Sequence, residues 1–423
     1  KLDYILAASS GVLCGVLDVF LVGKPGESPL GEITDKWFEN RTKDFAKLCG
    51  WKDKDGKLSS AIKYLENKFD VPYDQRGAGD AASEVFNLTP KDHHLKSLGH
   101  NPTLLGLFFS ILDQFSNTSH FVSEGELISL EEADDGFVLV GKNIPSKLFC
   151  GFVNWIGHII SDTSGSSSSK GRGTGIPSPL CSWFNDIVVI RRNLGIPPNK
   201  FDQDVCQLAL KMYEEGYDVR FQSAQCIPVF INEMVVRLFY SIRRVVNFYI
   251  NVPKDNHSFS DLWKCCEPFK NATVKRMLTV AHGTFCVVDI GDAVVRGFAT
   301  GGGYFNAAEF LVRLNIPGVG RFSISLYGEA NRCFKSTEAK NDIRYFEREK
   351  VIIQNYIDGL KSLSSTYDDQ ELLLFVNDFE NSDLYKSAFE KTVFLAEKRN
   401  VPNERILRNK VDIDAYFMRG NSK

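Results

Sequence analysis

Seven histidines occur in the 423 residues. Three of them, His93, His94 and His100, sit behind Asp92 in "DHHLKSLGHNP". A fourth, His158, precedes Asp162 by four positions in "FVNWIGHIISDTSG". On a helix this i, i+4 spacing puts imidazole and carboxylate on one face, about 6 Å apart. If 93–100 is helical, His93 and His100 also share a face, because seven residues return almost to the same angle. Imidazoles with a carboxylate are a donor set for zinc, manganese or iron. Such an ion brings the pKa of a bound water down toward neutrality. The bland readings are backbone capping by the histidines and an ordinary same-helix ion pair. Against them stands the cost of a charge in an apolar helix, which must be paired or ligated.

Directly after Asp162 comes "TSGSSSSKGRGTG". Ser/Gly repeats of this kind are flexible linkers. A run of backbone N–H groups with Lys170 and Arg172 is equally a cradle for phosphate. The pattern of a nucleotide P-loop, GxxxxGK[ST], is not there. Asp18, His282, Asp289 and Asp292 lie in other small-residue apolar segments, as an extension of the same polar cluster or as packing contacts between helices. No serine-hydrolase elbow, kinase set or dinucleotide fingerprint is present.

The elements that must carry these groups read as mainly α: a large helical bundle with glycine-rich apolar helices. "DKWFENRTKDFAKLCGW" and "LSSAIKYLENKFD" have amphipathic spacing. Asn101 with Pro102 predicts the start of an apolar helix. Residues 120–141 alternate around turn signals and predict a small β-hairpin excursion. A helix over 144–162 carries His158 and Asp162, and further helices follow at 180–192 and 201–216. A long one at about 225–251 is interrupted by Arg237, Arg243 and Arg244, which suit an interfacial helix or one paired with the acidic C-terminal region. Another apolar stretch over 274–329 is broken by glycines at 301–303. "SGVLCGVLDVFLVG" and "HGTFCVVDIGDAVVRG" echo one another, as similar helices that pack together would. Texture divides the chain into an apolar body, 1–335, with its Ser/Gly loop at 163–178, and a charged C-terminal helical region, 336–423.

Fifty basic residues nearly balance 53 acidic ones, for a net charge of −3, so no nucleic-acid partner is expected. Ten cysteines without a CxxC pair read as buried thiols of a reducing compartment. Mean hydropathy is −0.17, too polar for a chain that is mostly membrane. Yet Tyr4–Gly23 is long enough to span a bilayer marginally and lacks a cleavage pattern. The expected location is the cytoplasm or the inner membrane, not outside the cell.

Residues 93–112 and 151–165 together are similar to the motif pair of bacterial inner-membrane metal-dependent hydrolases distantly related to zinc-dependent phospholipase C. The chain as a whole resembles a bacterial family of similar length. By the hydrolase resemblance His94, His100, His158 and Asp162 are metal ligands, and Asp18 stands in for an early acidic residue. Here Gly99 and Asn101 replace the Thr and Ser flanking the motif histidine, and Gly157 replaces a Ser. The implied function is metal-dependent hydrolysis of a phosphate ester or phospholipid at a membrane. It would use a divalent metal, zinc or manganese, with Lys170 and Arg172 steadying the phosphate. The other expectation is a non-enzymatic effector, membrane-associated or oligomerising, of the pore-forming or defence type.

Overall fold

A computed structural model describes residues 2–52, 55–72, 92–131, 138–165, 175–253, 257–302, 304–367 and short runs between 370 and 412. The architecture is mainly α, with one two-stranded hairpin among the described residues. The first helix, α1 (Leu2–Leu17), continues through a π-helical turn at Asp18–Val22. Next come α2 (Pro29–Leu48), α3 (Leu58–Lys68), α4 (His93–Lys96) with a 3-10 turn at Leu98–His100, and α5 (Leu104–Ser116). The hairpin β1 (Thr118–Ser123) and β2 (Glu126–Glu131) leads to α6 (Ile144–Asp162), α7 (Pro179–Asn193) and α8 (Lys200–Glu214). The remainder is α9 (Val219–Asn251), α10 (Phe259–Cys266), α11 (Ala272–Thr300), α12 (Ala307–Arg313) and α13 (Ile316–Tyr367). Two compact units, Lys1–Ala330 and Asn331–Lys423, meet within α13, where composition alone placed the change after residue 335.

Small side chains set the geometry of the long helices. Gly11 of α1 faces Ala281 and Thr284, and Gly15 faces Phe285 and Val288. Rising numbers meet rising numbers, so α1 and α11 run parallel; these are the two segments whose sequences echo one another. A Cβ on Gly11 would lie 2.0 Å from Thr284 Oγ1 and 2.1 Å from the Ala281 carbonyl oxygen, so only glycine permits this approach. Asp3 pairs with Arg243, and Ser10 donates to Asn232, so α9 runs antiparallel to both. The helix α6 packs instead on α3 and α5.

The hairpin, α2 to α8 and α12 form a layer at the end of this bundle where α1 finishes and α9 begins, whereas α10 packs on the later part of α9, the Cys266 carbonyl accepting from Ser241. Val22 and Phe221 from the bundle share one core with Leu95, Cys181, Ala209, Met212, Tyr213 and Tyr217. A second core joins α2 and α3 through Ala46, Trp51, Ala61, Leu65 and Phe69, with Val153 of α6 against it. A third holds the 3-10 turn and the hairpin to α7 through Leu98, Phe109, Val122, Val188 and Val189.

Several boundaries differ from those read in the sequence. The hairpin spans 118–131 rather than 120–141, turning at Glu124 and Gly125, both with positive φ; residues 132–137 lie outside the described ones. The helix expected from Asn101 starts at Leu104. Thr103 caps it by accepting from Gly106 N at 3.0 Å while donating to Asp186 at 3.1 Å. Thr103→Ala should therefore cost about 1 kcal/mol of stability, read as a lowered thermal midpoint. The long helix begins six positions early, at Val219, because Asp218 accepts from both Arg220 N and Phe221 N. Its arginines find local partners: Arg237 with Glu233, Arg243 with Asp3, Arg244 over the Tyr240 ring. All ten cysteines are free thiols.

Candidate metal centre

His158 and Asp162 come from the last turns of α6, where the i, i+4 spacing holds His158 Nε2 3.2 Å from Asp162 Oδ2. The other histidines are brought there by a bend rather than by a shared helix face. α4 ends after Lys96, Ser97 is extended, and the 3-10 turn carries His100 back over the cluster. His94 Nε2 then lies 3.4 Å and His100 Nε2 3.7 Å from the same Asp162 Oδ2. His100 Nε2 and His158 Nε2 are 2.9 Å apart. Three ring nitrogens and one carboxylate oxygen thus converge from segments about sixty residues apart in sequence.

These separations fit a metal ion. Donors at 2.0–2.1 Å from a tetrahedral zinc are about 3.3 Å from one another; the separations among His100, His158 and Asp162 are 2.9, 3.2 and 3.7 Å, and His94 stands 3.4 Å from Asp162. The surroundings fix the donors' chemistry. His158 Nδ1 stands 3.3 Å from the Phe69 carbonyl oxygen, which accepts the proton at Nδ1 and leaves the Nε2 lone pair facing the cluster. Ser161 Oγ donates to Asp162 Oδ1 at 3.0 Å and so aims Oδ2 inward. Burial, with His158, His94 and His93 nearby, holds the His100 pKa well below its ordinary 6.5; a neutral imidazole is the form that ligates. All four side chains are only 2–6% exposed.

Two predictions arise here. Ser161→Ala should weaken metal binding roughly 10- to 100-fold, the usual cost of an outer-shell partner, as measured by competition with a chromophoric chelator. In chelator-treated protein, the His100 value below 6.5 means that the unfolded chain takes up the proton first. The associated stability is present above about 6.5 and is lost as pH falls from there toward the folded value. The thermal midpoint should drop across that window, and His100→Asn should flatten the slope.

The other residues singled out in the sequence separate clearly. His93 joins the cluster, its ring centroid 3.9 Å from that of His94, and with His94 and His100 it makes a second trio of close donor atoms. Lys170 and Arg172 lie outside the described residues. Asp18 and Asp289 are hydrogen-bonded to one another within the bundle rather than to the histidines. Asn315 binds both: Nδ2 donates to Asp18 Oδ1 at 2.5 Å and the backbone N to Asp289 at 3.0 Å. His282 is fully buried, with Nε2 3.8 Å from Glu233 Oε2. Asp292 lies 3.5 Å from Arg296. Sequence reasoning passed over Phe69 and Ser161, and took Gly157 only as a departure from the hydrolase motif. A Cβ on Gly157 would lie 2.2 Å from the Phe69 ring, so glycine there lets the Phe69 carbonyl reach His158.

Comparisons with family models, curated proteins and solved structures return no match. The class of molecule is therefore defined by the chain's own chemistry. It is a mainly helical protein with a buried His/His/His/Asp group able to hold a metal ion. Two of its helices are long and apolar enough to cross a membrane.

Proposed function

We propose that the protein is a metal-dependent hydrolase of a phosphate ester or phospholipid at a membrane. The observation that carries this reading is the convergence of His94, His100 and His158 on Asp162 Oδ2 within 3.7 Å. A zinc or manganese ion held by these four would lower the pKa of a bound water enough for it to act as a nucleophile near neutral pH. Asp162, aimed by Ser161, balances part of the ion's charge, and the Phe69 carbonyl keeps His158 in the ligating tautomer. The segment bearing Lys170 and Arg172 leaves the chain directly after Asp162. It returns at Gly175, whose N–H donates to Asp218 and whose carbonyl accepts from Tyr213. Cations this close in sequence to a ligand suit a phosphate group.

Burial of all four ligands favours a second reading, in which the ion only ties α6 to the His94–His100 turn. The two separate in one experiment. Detergent-purified protein, stripped and reloaded with zinc or manganese, is assayed on a chromogenic phosphodiester and on phospholipid vesicles. The hydrolase reading expects metal-dependent turnover that His158→Ala reduces to background. Stoichiometric metal with a metal-dependent thermal midpoint but no turnover on either substrate would leave the structural ion.

A further inference from the structure

The bundle of α1, α9, α11 and the first part of α13 sets polar groups among the apolar side chains of its interior and large apolar side chains on its outside. Its interior holds Ser10, Asp18, Asn232, His282, Asp289 and Asn315, each 6% exposed or less. Its outer surface is built of large apolar side chains. Leu13, Phe20, Phe230, Leu238, Val287 and Ile324 are each 60% exposed or more. Water would reward the opposite arrangement, whereas in hydrocarbon polar groups turn inward and pair with one another. Ser10 with Asn232, and Asp18 and Asp289 with Asn315, are such pairs. The close parallel packing of α1 on α11 through Gly11 and Gly15 is also of the kind that holds helices together where burial of apolar surface supplies no drive.

Length and charge agree. The apolar helix Leu2–Val22 has 21 residues, about 31 Å at 1.5 Å per residue, the thickness of a bilayer core; α9 and α11 are longer. One end of the bundle, where α1 starts, α9 finishes and α11 starts, carries Arg243, Arg244, Lys264, Lys270, Lys275 and Arg276. At its helix termini the other end has Lys24, Arg220, Arg296 and Arg313, with Arg220 and Arg313 held by Asp218 and Glu309; the further cations of the long α2–α8 layer, Lys36 and Arg41 among them, weigh little in orientation. Asp3, Asp261 and Glu267 also lie at the first end, but carboxylates count little in setting orientation. The metal centre belongs to the second end, because Val22 and Phe221 share a core with Leu95, the neighbour of His94.

We propose that α1, α9 and α11 cross a lipid bilayer, with the first part of α13 packed against them, and with the basic end against the anionic cytoplasmic leaflet. The metal centre then stands on the opposite, exoplasmic face. This topology rests on the membrane part of the reading above and not on hydrolysis. It makes any substrate of the centre one that is reached from outside the cytoplasm.

The full chain, produced in a bacterial host, is tested by trypsin treatment of intact spheroplasts and of inverted membrane vesicles, with peptides identified by mass spectrometry. Alkaline carbonate should leave the protein in the membrane and detergent should release it. Cleavage after Lys43 and Lys63 should occur in spheroplasts only, and cleavage after Lys264 and Lys270 in inverted vesicles only. If these sites resist trypsin even in detergent, protease sites inserted at Gly195 and at Ser258, both in loop segments, report the same two faces. Release by carbonate as a soluble monomer or oligomer overturns the proposal. So does cleavage of both groups from one side, or the reverse sidedness. Turnover in detergent is scored separately, so an inactive protein with the expected topology fails only the hydrolase reading.

Discussion

The purified chain should carry one metal ion per molecule, and replacing His158 by alanine should leave it almost metal-free. The side chain supplies one of four donors around Asp162 Oδ2. Four-ligand zinc sites develop roughly 10–16 kcal/mol, so a quarter of that corresponds to an affinity loss on the order of 10²–10³-fold. The metal-free variant should also be less stable, because Asp162, nearly inaccessible to solvent, remains as a buried carboxylate with one imidazole fewer. Elemental analysis after dialysis against a weak chelator reads the effect directly. Asp162→Asn should do the same while preserving shape, since it removes the charge but keeps an oxygen. Unchanged metal content in both variants, or none in the parent chain, would dispose of the site. Added zinc should also raise the parent's thermal midpoint and not the variants', because an ion that binds only the folded state stabilises it by mass action.

Gly11→Val should be the most damaging single change outside that centre. The new Cβ would overlap the Ala281 carbonyl oxygen, a backbone atom that no rotamer change can move. α1 would have to separate from α11 along its length, exposing Ala7, Cys14 and Asp18 in turn. Overpacking in well-filled cores costs 1–3 kcal/mol and sometimes more; a clash with backbone puts this one at roughly 3 kcal/mol or above. Gly291→Ala is the control. Nothing lies within 4 Å of the added methyl, and the helix gains by up to about 1 kcal/mol from the better helix former. Thermal unfolding in detergent should move down for the first variant and hold or rise for the second.

The contrast between these two sites shows what a sequence can carry. HxxxD was legible because helical spacing alone places its members, and α6 runs over the residues that periodicity assigned to it. That His94 and His100 fold against it depends on the bend at Ser97, which no periodic signal announces. The Phe69 carbonyl has no side-chain signature at all, and it reaches the site only because residue 157 lacks a Cβ. Asp18 looked like an additional ligand because it shared an apolar setting with the histidines, but Asn315 and Asp289, remote in sequence, hold it in the bundle instead. Local periodicity thus gave the scaffold, and the tertiary contacts decided which of the polar residues met.

The π-helical turn after α1 has a consequence for how this chain tolerates change in length. Gly23 N donates to the Asp18 carbonyl, one residue further back than in an ordinary helix, so Asp18–Val22 accommodates one residue more than regular winding would. It is the mark of a single-residue insertion absorbed without breaking the helix. Upstream of it Ser10, Cys14 and Asp18 keep their faces to α9 and α11; downstream Val22 is delivered into the core beside Leu95 and Tyr213. Deleting any one of Val19, Phe20 or Leu21 would remove the extra residue and restore regular winding, with Val22 still in phase with Asp18. A further one-residue insertion there would find the slack already used and would rotate everything that follows by about 100°, taking Val22 out of the core that supports the His94 segment while the pairing of α1 with α11 stayed intact. The turn is the joint at which the bundle and the metal layer are phased to each other, and it tolerates loss of a residue where it would not tolerate gain of one.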